Sequence, residues 1–87
     1  MADRFHLFVY TPEHALVDAD VQEVTAQAAL GEIGVLPDHA ALMTALEPGI
    51  LRYREGTTVK QLALGGGFAE VRDNVMTVLA ETGAAAS

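Results

Sequence analysis

The chain contains no cysteine and no tryptophan. Without thiols there is no disulfide framework and no thiolate chemistry, and the expected setting is a reducing compartment. Basic residues are scarce as well: five Lys and Arg stand against twelve Asp and Glu, for a formal net charge of −7. Those cations (Arg4, Arg52, Arg54, Lys60 and Arg72) are scattered along the chain. An acidic chain without a basic patch repels phosphate backbones and anionic lipid, which argues against nucleic-acid partners and against direct lipid binding. No apolar run approaches the roughly 18 residues of a membrane-spanning helix. The opening MADRFHLFVY has a charged, aromatic, strand-like pattern in place of a signal peptide's apolar core, so a soluble chain is expected.

What the chain does have is apolar surface, with hydrophobic residues making up 51% of it. Its 87 residues form a single domain. A chain of that size buries only about 60% of the surface its unfolded form exposes. The core must be thin, and some apolar surface is expected to remain outside unless a partner covers it. This favours an interaction module.

Alternation dominates the local pattern. In FHLFVYT, Phe5, Leu7 and Val9 point one way and His6, Phe8 and Tyr10 the other, so this strand is apolar on both faces. Pro12 sets a turn in TPEH. Along ALVDADVQEVTAQAA, Val24, Ala26 and Ala28 share one face while Glu23, Thr25 and Gln27 take the other. ILRYREGTTVKQLAL predicts a hairpin turning around Glu55-Gly56-Thr57. A second hairpin turns at Asp73-Asn74, two residues that tolerate positive φ. Leu62, Leu64, Phe68, Val71, Val78 and Leu79 are expected in the core, with Glu70 and Arg72 solvated. DHAALMTALEPG is ambiguous: read alone it favours a short helix over a strand, with Asp38 as its cap, Leu42, Met43 and Leu46 inward, and Pro48-Gly49 as its end. The tail TGAAAS is expected to fray. Many short strands with regularly spaced turns predict an all-β sandwich or barrel.

Two clusters invite a chemical reading. Asp38 and His39, with Glu32 upstream in GEIGVLPDHAAL, match no zinc-ligand spacing, and neither His6 nor His14 is placed to complete a set. A docking or structural role for His39 is the simpler reading. Gly65-Gly66-Gly67 follows a strand, but neither a helix nor a lysine follows it, so it is no phosphate cradle. A bulge or close backbone crossing, where a Cβ would not fit, explains it better. No catalytic residue, metal ligand or cofactor site is assigned.

Three stretches together resemble one family. GEIGVLPDHAALMTALEPGILRY is similar to the G-E-x-G-x-L-P-x-H-x-x-L-x-T-x-L-x-P-G block of the F-type ATP synthase epsilon subunit. LALGGGFAEVRDNVMTVLAE resembles that family's GGF-x-E-V and V-T-V-L-A hairpin, and FHLFVYTPEHALVDADVQEVTAQA its first strands. The resemblance runs over nearly all of residues 4–81. Asp38 stands where the family often has glycine, and Ala41 where it often has proline.

The resemblance implies a flattened β-sandwich of roughly ten short strands over residues 1–82 and a disordered tail over 83–87. The family's C-terminal helical hairpin, which in relatives inhibits ATP hydrolysis, is expected to be absent because the chain ends at Ser87. It also implies a non-catalytic rotor subunit of the central stalk, joining the gamma subunit to the c-ring and reaching the catalytic head through gamma. Such a subunit sits peripherally on the cytoplasmic face of a bacterial plasma membrane and couples proton-driven rotation to ATP synthesis. By the same resemblance, Gly31, Glu32 and Ile33 face the c-ring, while His39, Leu42, Met43 and Thr44 face gamma. Gly34, Pro37, Gly65, Gly66 and Gly67 shape loops. The alternative is an unrelated small β-sandwich that binds a ligand or peptide along an exposed edge.

Overall fold

The computed structural model describes residues 2–86. The described residues form ten strands: β1 (Phe5–Tyr10), β2 (Ala15–Val21), β3 (Glu23–Ala28), β4 (Gly31–Val35), β5 (Leu42–Leu46), β6 (Gly49–Glu55), β7 (Thr58–Leu64), β8 (Gly67–Arg72), β9 (Val75–Ala80) and β10 (Gly83–Ala85). They follow one path, β10-β7-β6-β3-β5-β8-β9-β1-β2, with β4 attached to β3. A single pair, Ala28 opposite Leu46, joins β3 to β5. There the sheet bends back on itself, and the result is the all-β sandwich that alternation predicts.

The core lies between the two halves of that path. β5, β8, β9, β1 and β2 contribute Leu7, Val9, Val21, Val71, Met76 and Val78, and the opposing half contributes Val24, Leu51, Leu62 and Leu64. Period 2 makes this possible, because alternate side chains of each strand share the face that loses water. β1 and β3 follow the rule without exception: Phe5, Leu7 and Val9 are buried, as are Val24, Ala26 and Ala28. No polar or charged residue is buried among the described residues.

Both predicted hairpins form. Gly56-Thr57 joins β6 to β7 with Glu55 opposite Thr58. Asp73 and Asn74 join β8 to β9, with φ of 52° and 64°, as a two-residue turn of the I′ kind requires.

Three expectations fail. Residues 42–46 form strand β5, not a helix, pairing in register with β8 from Leu42–Val71 to Leu46–Gly67. Asp38 cannot cap a helix here, because its φ is +65° and its neighbours form a tight turn. Inward positions therefore recur every second residue: Leu46 is buried and Leu42 packs on the core, while Met43 points out. The tail does not fray: Gly83, Ala84 and Ala85 pair with Leu64, Ala63 and Leu62. Ser87, the last residue assigned to that tail, lies outside the described residues. Thirdly, Phe68 and Leu79 are not in the core.

Candidate functional site

Phe68 is 45% exposed and Leu79 is 56% exposed. Their position follows from strand parity. On β8, Ala69 and Val71 are buried, so Phe68, Glu70 and Arg72 share the other face. On β9 the buried residues are Met76, Val78 and Ala80, which sends Leu79 outward with Thr77 and Val75.

Strand register then aligns the outward side chains in rows across the half-sheet. Met43, Glu70, Thr77, Phe8 and Asp18 form one row. Ala45, Phe68, Leu79 and Tyr10 form the next. Met43 is 63% exposed, and the half-buried rings of Phe8 and Tyr10 stack with centroids 5.7 Å apart. Isolated surface leucines are ordinary, but the second row is apolar along its length, with Met43 and Phe8 beside it in the first, and such a patch is the kind of surface that interactions use. This is the second face of the doubly apolar FHLFVY strand.

His6 closes one end of that face, its ring 4.5 Å from that of Phe8. Its Nε2 lies 2.6 Å from Asp18 Oδ1 and its Nδ1 lies 2.8 Å from Asp20 Oδ1. A carboxylate oxygen only accepts, so meeting both contacts takes two N–H donors, which only the imidazolium has. Hydrogen bonding to Asp20, then to Asp18, raises the His6 pKa above its ordinary value.

A corner borders the face beyond β5. Leu36, Pro37, Asp38 and His39 form a tight turn in which the His39 N–H donates to the Leu36 carbonyl at 3.2 Å. Pro37 takes the second position and Asp38, at φ +65°, the third, the arrangement of a type II turn. Glycine is the usual residue there, which explains why the epsilon pattern often has glycine where this chain has Asp38. The His39 ring donates from Nδ1 to the Ala40 carbonyl at 2.6 Å. Of the four residues expected to face gamma, Met43 lies fully on the exposed face. His39 sits in the corner beside it, and Leu42 and Thr44 lie on the opposite side of β5, opposite Val71 and Ala69.

The second corner is the β3–β4 hairpin. Gln27 Nε2 donates to Glu32 Oε2 across it at 3.3 Å, and Ile33 packs against the core. Gly31, at φ +123°, turns the chain back. Leu30 at the tip is 102% exposed. Sequence reasoning passed over Leu30, although a leucine beside a turn glycine is a readable signal. Glu32, Asp38 and His39 each engage different partners (Gln27, Ala2 and Ala40), so they form no common centre.

The triple glycine is the close crossing that its composition suggests. A Cβ on Gly67 would stand 2.8 Å from the Ala80 Cα and collide with the Leu79 carbonyl, and one on Gly65 would collide with the Thr82 side chain. Gly34 differs: its φ is unremarkable and a Cβ there would meet nothing.

A covered core, an outer face carrying apolar side chains and two protruding corners define this chain as a small all-β sandwich domain. Residues 4–86 match the family of the ATP synthase Delta/Epsilon chain β-sandwich domain, and the chain belongs to that family. It is 48% identical over 80 residues to the ATP synthase epsilon chain of Carboxydothermus hydrogenoformans, covering 92% of this chain and 60% of that relative. It is 42% identical over 82 residues to the epsilon chain of Desulfitobacterium hafniense, covering 94% and 62%. The chain thus spans about 60% of the length of these relatives. Its fold superposes with a TM-score of 0.91, at 27% identity, on a chain of the Euglena gracilis mitochondrial ATP synthase solved as OSCP/F1/c-ring. That match covers 98% of this chain and 55% of the other. A chain of the Tetrahymena thermophila central stalk and c-ring shares the fold, with a TM-score of 0.81 at 21% identity over 91% of this chain and 64% of its own length.

Proposed function

We propose that this chain is the sandwich domain of a bacterial ATP synthase epsilon subunit. It works as a non-catalytic rotor part that fastens the gamma subunit to the c-ring. The carrying observation is the exposed Met43, Phe68 and Leu79 face in a chain of this family. Gamma takes that face together with the corner at His39, and Met43 adapts its flexible thioether to an irregular surface. Leu42 and Thr44 support the contact from behind by seating β5 on the core.

The β3–β4 hairpin faces the c-ring. Leu30 offers an apolar anchor and Gly31, Glu32 and Ile33 follow it on β4. The rim charge of Glu32 tunes register and specificity more than raw affinity. Torque passes from the ring through this wedge to gamma, and through gamma to the catalytic head. The domain sits peripherally at the cytoplasmic face of the plasma membrane, held by protein contacts, since its net charge of −7 disfavours anionic lipid.

The test is binding to a purified catalytic head that carries gamma but has been stripped of epsilon. The chain is expected to bind stoichiometrically. In membranes, Glu32→Lys is expected to lower proton-driven ATP synthesis while leaving hydrolysis by the detached head unchanged. Failure to retain the gamma-bearing head would overturn the reading.

A further inference from the structure

Asn74 belongs to a turn far from β5 in sequence, yet it is joined to the corner that precedes that strand. The Asp38 N–H donates to Asn74 Oδ1 at 2.7 Å, across 36 residues of chain. The Asn74 Nδ2 donates to the Arg4 carbonyl at 3.0 Å, and the His6 N–H donates to the Asn74 carbonyl at 3.1 Å. One side chain thus bridges the β8–β9 turn, the approach to β1 and the Leu36–His39 turn.

The three conformations depend on each other. Asn74 can aim its amide this way because the I′ turn holds it at φ 64°. Asp38 sits at φ 65°, a region that costs a residue with a side chain more than it costs glycine. In that conformation its N–H points away from its own turn, whose closing bond comes from His39. Asn74 supplies the missing acceptor. The bond therefore selects the turn conformation that sends His39 and β5 along the edge of the apolar face.

We propose that Asn74 is a positioning residue for the docking corner, holding Asp38 in its left-handed conformation so that His39 and Met43 meet the partner in one geometry. The proposal rests on the docking reading above and adds to it a residue that acts through the backbone of Asp38. A pre-set corner binds more tightly than one that must be ordered on contact.

The test uses the gamma-bearing head and two variants. Asn74→Gly keeps the positive φ and removes the side chain, and Asn74→Asp keeps an acceptor for the Asp38 N–H. N74G is expected to weaken binding by roughly three- to tenfold, and N74D by less than N74G, since it loses the bond to the Arg4 carbonyl but keeps the acceptor for Asp38. Amide exchange gives a second readout on the unbound chain: the Asp38 N–H is expected to be protected in the parent and in N74D, and unprotected in N74G. Unimpaired binding by N74G, or equal loss in both variants, would overturn the role of Asn74. An unprotected Asp38 amide in the parent chain would overturn it even if N74G failed to fold. Failure of the parent chain itself to bind would strike the docking reading instead.

Discussion

Phe68 and Leu79 stand directly opposite each other on β8 and β9, and both side chains face solvent. A cross-strand apolar pair normally adds a few tenths of a kcal/mol to about 1 kcal/mol by shielding both members from water. Here the pair lies open, with about half of its surface free to be buried by a partner.

Replacing both residues with polar ones separates folding from docking. Phe68→Gln combined with Leu79→Thr is expected to change unfolding free energy by no more than about 1 kcal/mol, the ordinary range for two surface sites. Binding to the gamma-bearing head is expected to fall by at least about tenfold, because the two substitutions remove the large apolar side chains whose exposed area the partner would bury. Calorimetric titration measures the second effect and a denaturant melt the first. Intact affinity with the double substitution would remove this face from the interface.

His6 makes stability depend on pH. Asp18 and Asp20 of β2 face its ring, and Arg4 lies 4.0 Å from Asp20. On the β9 side the neighbours are Val75 and Thr77, neither of which titrates. The folded-state pKa is raised above 6.5, mainly by Asp20 and then by Asp18. The clasp's contribution is therefore complete below the unfolded value and is lost as pH rises through the raised folded value. The effect is small, since both carboxylates are more than half exposed and solvent screens the pair. A proton NMR titration of His6 should show a midpoint above 6.5 that moves down in Asp20→Asn. An unshifted midpoint would mean that the clasp does not persist in solution.

The glycines divide into two groups that mutation can tell apart. Gly67→Ala forces a Cβ against the Leu79–Ala80 backbone and is expected to cost about 1–3 kcal/mol, the usual range for overpacking. Gly34→Ala meets open space at an ordinary φ and is expected to lie within about 0.5 kcal/mol of neutral. Denaturant midpoints at constant slope read both values. A neutral Gly67→Ala would show that β8 and β9 can separate more easily than their register suggests.

Several parts of this molecule were legible residue by residue. Asp73-Asn74 between two β-rich arms announces a two-residue turn, and the turn forms with both φ values positive. The alternation of β1 and β3 reads directly as burial. The errors came where local signals compete. Asp38 followed by alanines and leucines looks like a capped helix, and only pairing with β8 makes residues 42–46 a strand. Phe68 and Leu79 were assigned to the core by residue type, although Glu70 and Arg72 share the parity of Phe68. Residue type says what a side chain prefers, whereas parity says which way it points. The small, weakly patterned tail gave no local reason to expect β10. Its order comes from the free edge of β7.

By itself, the order of residues determined the alternation of β1 and β3, the turns at residues 56–57 and 73–74 and the acidic composition, because each depends on neighbours along the chain. The tertiary structure alone decided that Met43, Phe68, Leu79, Phe8 and Tyr10 meet on one face and that Asn74 holds Asp38. Those relations depend on strand order and register, which no local window of sequence contains.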